Sequence, residues 1–184
     1  MANSETVQVR IKRQNGPESL PYWESFELPR KPGMNVISLL QEIRLKPVTA
    51  DGRATRPVTW DCNCLEEVCG ACTMIVNGRV CQSCTQLVDN LEQPIHLEPM
   101  TKFPVVRDLM VDRAKMFAHL RLIHGWVPID GTHDLGPGPR IDPETQEEAY
   151  ALSRCMTCGC CVEACPQVNE SSDFMGPAVI GQTV

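Results

Sequence analysis

Cysteine is the residue type in this chain whose number and spacing indicate a chemical role for the side chains. The 184 residues include 11 cysteines, and all of them lie in two groups, one from Cys62 to Cys84 and one from Cys155 to Cys165. The first ten residues lack the apolar segment of a secretory signal, so we expect a reducing compartment. Clustered thiols in such a compartment bind metal more often than they form disulfides, and an odd total also disfavours complete pairing.

The first group has the spacing Cys64-x4-Cys69-x2-Cys72-x11-Cys84. Three thiolates so close together form a tight loop, in which Gly70 permits a sharp turn and lets backbone N–H groups point inward. Asn77-Gly78 is a strong hairpin signal, so the returning strand can bring Cys84 back to this loop. The spacing is that of plant-type [2Fe–2S] ferredoxins.

Structural zinc is an alternative for the first group. Two C-x2-C pairs also occur here, as in zinc ribbons: Cys69 with Cys72, and Cys81 with Cys84. This arrangement leaves Cys64 without a role. In the iron–sulfur interpretation Cys62 and Cys81 are not ligands, and we expect both to be small buried apolar residues.

The second group has the more specific spacing, Cys155-x2-Cys158-x2-Cys161-x3-Cys165-Pro166. Bacterial ferredoxins use this run, in which the first three cysteines hold one cluster and the fourth serves another. Zinc fits poorly, because a single tetrahedral ion needs four ligands and the fourth thiolate of this run is turned away from the first three. We expect Cys160, whose side chain should point away from that of its neighbour, to be a packed non-ligand.

The apolar pattern of the first hundred residues predicts the elements that hold the first group. They are a strand at 7–11, a strand at 22–28, a helix between Asn35 and Pro47, a hairpin at 73–81 and a strand at 95–97. This order predicts a small α+β domain of the β-grasp type, ferredoxin-like, over residues 1–103.

The remaining residues, 104–184, predict an all-α domain of the bacterial-ferredoxin type. Apolar residues from Val106 to Leu120 recur at helical spacing. Residues 125–139 are rich in proline and glycine and predict a stiff loop. Pro143 is suited to the first turn of a further helix that runs toward Cys155.

Charge and hydropathy disfavour two classes of function. The chain has 17 Lys and Arg against 23 Asp and Glu, a net charge of −6, which disfavours binding to a phosphate backbone. No apolar run approaches the ~20 residues that a membrane span requires. The four histidines lie outside both cysteine groups, so we expect no histidine ligand.

Several segments together resemble the iron–sulfur subunit of succinate dehydrogenase and fumarate reductase, of the bacterial menaquinone-linked type. The resemblance covers essentially the whole chain. Its motifs are Trp60 to Cys72, Lys102 to Leu109, Pro128 to Gly131, Cys155 to Pro166, and Phe174 to Ala178.

The resemblance implies an electron relay that contains no catalytic residue of its own. A flavoprotein (FAD) subunit oxidises succinate to fumarate, and electrons then pass singly to quinone at a cytochrome b-type membrane anchor. The chain would lie on the cytoplasmic face of the membrane, held there by these partner subunits. By carry-over, the [2Fe–2S] ligands are Cys64, Cys69, Cys72 and Cys84, the [4Fe–4S] ligands are Cys155, Cys158 and Cys161, and Cys165 binds the [3Fe–4S] cluster.

The sequence departs from this family in two ways. Family members carry a further cysteine–proline motif downstream, whereas no cysteine follows Cys165 here. We therefore expect a C-terminally incomplete chain that builds the first cluster and fails to hold the other two stably. Residues 167–171 also lack the tryptophan of ubiquinone-linked relatives, which favours menaquinone. Fumarate reduction, the reverse direction, stays open.

Overall fold

A computed structural model describes residues 5–125 and 140–183 of the chain. The proline- and glycine-rich segment expected to be a loop, apart from Gly125, lies outside the described residues. So does the motif from Pro128 to Gly131.

A five-stranded mixed sheet forms the first part, in the order β2-β1-β5-β3-β4. Its strands are β1 (Thr6–Arg13), β2 (Tyr22–Pro29), β3 (Thr73–Val76), β4 (Arg79–Gln82) and β5 (Ile95–Glu98). β1 pairs parallel with β5, through Val9 opposite Ile95, and the other neighbours are antiparallel. All the strands predicted for this part are present, because alternating apolar residues bury one face of each strand.

Helix α1 (Val36–Leu45) packs on this sheet and closes the first core. Asn35 begins the helix with a capping box, in which its side chain accepts from the Ser38 N–H and the Ser38 hydroxyl accepts from the Asn35 N–H. The apolar face of α1 is buried in one core cluster with residues of β1, β2, β3 and β5. Pro47 follows the helix end, where continued helical hydrogen bonding would fail.

The second part begins with a two-stranded ribbon, so the prediction of an all-helical domain is wrong at its start. The ribbon comprises β6 (Val105–Arg107) and β7 (Met110–Val111). The helices are α2 (Ala114–Leu122), α3 (Pro143–Ser153), α4 (Cys160–Ala164) and α5 (Pro177–Gly181). The helix predicted from Val106 therefore exists only from Ala114.

Asp108 explains why residues 105–113 are not helical. It has a positive φ of 47° and a fully buried side chain. Its carboxylate accepts hydrogen bonds from the backbone N–H groups of Gln14 and Thr59 and pairs with Arg13. This long-range network outweighs the local helical pattern.

Two apolar cores meet around the expected boundary at 103, and each takes residues from both sides of it. Leu109 packs in the first core, whereas Met100 and Phe103 pack with Met116 and Val162 in the second. The ribbon and α4 are therefore joined to the first part by side-chain packing. No helix within residues 5–125 and 140–183 is long and apolar enough to cross a bilayer.

Candidate metal centres

The loop around Cys64 turns its backbone amides toward sulfur. Leu65, Glu67 and Gly70 all have positive φ, at 62°, 57° and 69°. The Cys64 Sγ accepts N–H hydrogen bonds from Glu66 at 3.4 Å, Val68 at 3.4 Å and Cys69 at 3.3 Å. Successive amides that converge in this way form a concave anion-binding nest.

Cys69 continues the same arrangement. Its Sγ accepts from the Cys64 N–H at 3.5 Å and from the Ala71 N–H at 3.4 Å. Hydrogen bonds from amides stabilise a thiolate, and those from Glu66 and Val68 lower the pKa of Cys64 to about 7. The loop is therefore built to hold negatively charged sulfur.

Cys72 and Cys84 lie at the base of the β3–β4 hairpin, where Thr73 pairs with Gln82. Both cysteines are buried. The pKa of Cys84 is raised to about 11, chiefly by burial. The Glu67 N–H opposes this rise, and the sulfurs of Cys72 and Cys64 add to it. The hairpin therefore brings Cys84 to the loop, as the sequence predicts.

These four cysteines suit an iron–sulfur cluster. Four thiolates are the usual ligand set of [2Fe–2S], and N–H groups facing the sulfurs tune its potential. Cys62 and Cys81 instead pack against the first core, where they are partly rather than fully buried, and burial raises the pKa of Cys81 to about 11. Among the described residues, no three His, Cys, Asp or Glu side chains are arranged to hold a single metal ion.

The second cysteine group lies between α3 and the end of α4. Cys161 lies in α4, and its pKa is raised by burial and then by the nearby sulfurs of Cys158 and Cys155. Cys165 lies at the other end of α4, where the Lys102 ammonium donates to its carbonyl oxygen. Cys161 therefore lies near the sulfurs of Cys158 and Cys155, and Cys165 follows at the C-terminal end of α4.

Cys160 is more than a packed residue. The interaction of its thiol with the Cys158 sulfur lowers the pKa of Cys158 to about 6 and raises that of Cys160 strongly. The sequence argument concerns only the neighbouring pair, Cys160 and Cys161, whose side chains we expect to point apart. It does not consider Cys158, two residues before Cys160. Gly159, with a φ of 90°, makes the turn between the two sulfurs.

The two cysteine groups touch through their backbones. A Cβ on Gly70 would lie 2.7 Å from the Cα and Cβ of Cys158. The Arg113 guanidinium joins the same two loops, donating to the Gly70 carbonyl at 2.8 Å and to the Cys158 carbonyl at 3.3 Å. Sequence reasoning missed this role of Arg113, because no local spacing links residue 113 to either group.

Comparison with known proteins agrees with this geometry. The family described as 2Fe-2S iron-sulfur cluster binding domain matches residues 8–118. The succinate dehydrogenase iron-sulfur subunit of Bacillus subtilis is 58% identical over 182 residues, which cover 99% of this chain and 72% of that protein. The fumarate reductase iron-sulfur subunit of Wolinella succinogenes is 31% identical over 182 residues, 97% of this chain and 73% of that protein.

A solved structure has the same fold. A chain of the Mycobacterium smegmatis Sdh1 complex in the apo form superposes with a TM-score of 0.74 at 22% identity, covering 95% of this chain and 71% of that chain. The sequence matches span nearly the whole chain and most of each relative. The chain therefore belongs to the family of iron–sulfur subunits of succinate dehydrogenase and fumarate reductase.

Proposed function

We propose that this chain is the iron–sulfur electron-transfer subunit of a succinate:quinone oxidoreductase, complex II. It carries electrons one at a time from a flavoprotein subunit, where succinate is oxidised to fumarate, to quinone at the membrane. The observation that carries the proposal is the convergence of four cysteines in a loop whose backbone amides face sulfur. The 58% identity to the Bacillus subtilis subunit supports the same role.

The first centre is a [2Fe–2S] cluster held by Cys64, Cys69, Cys72 and Cys84. When bound, such a cluster accepts and releases single electrons without proton transfer. The chain's own contribution is to hold four sulfurs, to donate N–H groups to two of them and to exclude water from Cys72 and Cys84, which are 3% and 4% exposed.

For the second and third centres, Cys155, Cys158 and Cys161 would supply three ligands of a [4Fe–4S] cluster, and Cys165 would supply one ligand of a [3Fe–4S] cluster. The spacing before Pro166 supports the separation of the two ligand sets. The contact of Gly70 with Cys158 offers a short route from the first centre to the second. Since tunnelling falls steeply with distance, this contact is where an electron relay needs the two loops to touch.

The partners follow from the same proposal. A flavoprotein subunit with FAD supplies the electrons, and a cytochrome b-type membrane anchor presents the quinone, which we propose to be menaquinone. The complex would hold this chain at the cytoplasmic face of the membrane.

Fumarate reduction is the second candidate function. The 31% identity to the Wolinella succinogenes fumarate reductase subunit supports it, and the higher identity to a succinate dehydrogenase subunit favours succinate oxidation. The same clusters serve both directions, because the direction depends on the potentials of the clusters and of the quinone.

The proposal is tested by succinate reduction of the anaerobically purified complex, followed by EPR. We expect succinate to generate the reduced [2Fe–2S] signal in the wild type and in Cys62→Ser, but not in Cys69→Ser. Cys62 is the matched control, because it is a cysteine of the same group that packs against the core. Loss of the signal in Cys62→Ser with retention in Cys69→Ser would overturn the ligand set, and a wild type that succinate leaves unreduced would overturn the function.

A further inference from the structure

Arg113, the residue that precedes α2, lies between the two cysteine groups. One atom of its guanidinium, Nη1, donates to two backbone carbonyls, that of Gly70 at 2.8 Å and that of Cys158 at 3.3 Å. The first carbonyl belongs to the loop between Cys69 and Cys72, and the second belongs to a proposed ligand of the [4Fe–4S] cluster. A single nitrogen atom therefore joins both centres, through oxygen acceptors that do not change when the sulfurs bind iron.

Both ends of this bridge are attached to packed structure. Arg113 is the N-cap residue of α2, and its carbonyl accepts from the Met116 N–H at 3.0 Å. The Met116 side chain is buried with Phe103 in the second core. The Gly70 carbonyl also accepts from the Thr73 hydroxyl at 2.8 Å, and Thr73 is the first residue of β3. The bridge therefore connects the second core to the sheet of the first part at the place where the cysteine loops meet.

The guanidinium also brings a permanent positive charge to this place, because arginine is always protonated in proteins. Asp61 lines a small cavity together with Arg113, but among residues 5–125 and 140–183 no carboxylate forms an ion pair with this guanidinium. Both hydrogen bonds are partly buried, so solvent ions screen the charge less than at the surface. Reduction adds one negative charge to a cluster, and a nearby cation stabilises that charge.

We propose that Arg113 is a positioning residue for electron transfer between the first two centres. Its two hydrogen bonds fix the separation of the cysteine loops, and its charge raises the reduction potentials of both clusters relative to a chain with a neutral side chain here. The step it serves moves one electron from the reduced [2Fe–2S] cluster to the oxidised [4Fe–4S] cluster, and no covalent bond changes. The inference rests on the proposed function, because this step requires both clusters to be bound.

The test compares wild type, Arg113→Met, Arg113→Lys and Arg121→Met in the anaerobically purified complex. Arg121→Met is the matched control, because it removes the same charge from an exposed position near the end of α2, ~12 Å further along the helix. In an EPR-monitored redox titration, we expect lower midpoint potentials for both clusters in Arg113→Met and unchanged potentials in Arg121→Met. Arg113→Lys should keep the wild-type potentials, because it keeps the charge.

Hydrogen exchange and EPR saturation, measured on the same samples, report how firmly the two loops are held together. In Arg113→Met we expect faster amide exchange at residues 64–72 and 155–161. We also expect a lower microwave power at half-saturation of the [2Fe–2S] signal when both clusters are reduced, because magnetic coupling between the clusters falls steeply with distance. Arg113→Lys should show part of both changes, because its side chain is one atom shorter, and Arg121→Met should show neither.

Iron and sulfide content separates this inference from the proposed function. A wild type without clusters would overturn the proposed function, and amide exchange would still test the bridge between the loops. If Arg113→Met holds its clusters, unchanged potentials, or equal shifts in Arg121→Met, would overturn the effect of the charge. Unchanged exchange and half-saturation power in the same variant would overturn the positioning role. If Arg113→Met fails to assemble, Arg113→Lys decides: exchange and half-saturation power equal to those of the wild type would refute the role.

Discussion

Gly70→Ala is the substitution that most sharply probes the contact between the two cysteine groups. The new Cβ would lie 2.7 Å from Cys158, including a backbone atom, whereas ordinary contacts begin at 3.4 Å. The loops would have to separate by about 0.7 Å to accept a single methyl group. Gly33→Ala is the matched control, because Gly33 has a φ of 70° against 69° at Gly70 and has no atom within 4 Å of an added Cβ.

The two substitutions share one cost and differ in another. Placing alanine in the left-handed region costs ~1–2 kcal/mol at either position. Only Gly70→Ala adds overpacking, which costs ~1–3 kcal/mol where a core cannot yield. We therefore expect a loss of about 1–2 kcal/mol for Gly33→Ala and about 2–5 kcal/mol for Gly70→Ala in the free energy of unfolding.

Urea unfolding of the metal-free, reduced chain, followed by circular dichroism, measures both losses. The iron content of the anaerobically purified proteins gives a second readout, since separated loops should reduce cluster occupancy in Gly70→Ala but not in Gly33→Ala. Equal stability losses for the two variants, with full iron content in both, would refute the close contact of Gly70 with Cys158.

Three further predictions concern charge, docking and thiol reactivity. Arg13→Met should lower the free energy of unfolding, measured in urea, by ~3–5 kcal/mol. The reason is that the fully buried carboxylate of Asp108 loses the cation with which it is paired. A loss under ~1 kcal/mol would contradict the role of this ion pair. Glu163→Ala should lower the free energy of unfolding by ~1–3 kcal/mol in the same measurement. The Glu163 carboxylate accepts hydrogen bonds from two backbone N–H groups and one hydroxyl at residues 101–102. An unchanged urea midpoint would refute this docking of α4. In the metal-free chain, iodoacetamide should alkylate Cys64 at pH 7, where its pKa of about 7 leaves thiolate available, whereas Cys84, with a pKa of about 11, should react only as the pH rises toward that value. Peptide mapping by mass spectrometry checks this order, and faster reaction at Cys84 would contradict it.

The elements that follow a simple period were predictable from the sequence. β1 alternates Val7, Val9 and Ile11 with polar residues, and all three are buried as the alternation requires. Helix α1 has both a capping residue and an apolar face, so local and tertiary preferences agree. The cysteine spacing is likewise local, and its first group does converge.

The features that depend on distant residues were not predictable. Helical spacing from Val106 is overridden because Asp108 pairs with Arg13, 95 positions earlier in the chain. Gln82 and Arg113 have no recognisable spacing relative to the cysteines, since their contacts with the cysteine groups arise only when β4, the ribbon and α4 are packed together. Gly70 was identified as a turn residue, but the close approach of Cys158 is a second reason for glycine that only the tertiary structure reveals.

The central claim is that the sulfurs of the first loop hold an iron–sulfur cluster that accepts single electrons. EPR spectroscopy of the anaerobically purified, dithionite-reduced protein tests it most directly, with iron, acid-labile sulfide and zinc measured on the same sample. The account predicts a brown protein with the signal of a reduced [2Fe–2S] cluster and equal amounts of iron and sulfide in that centre. A colourless, EPR-silent protein with stoichiometric zinc would contradict it.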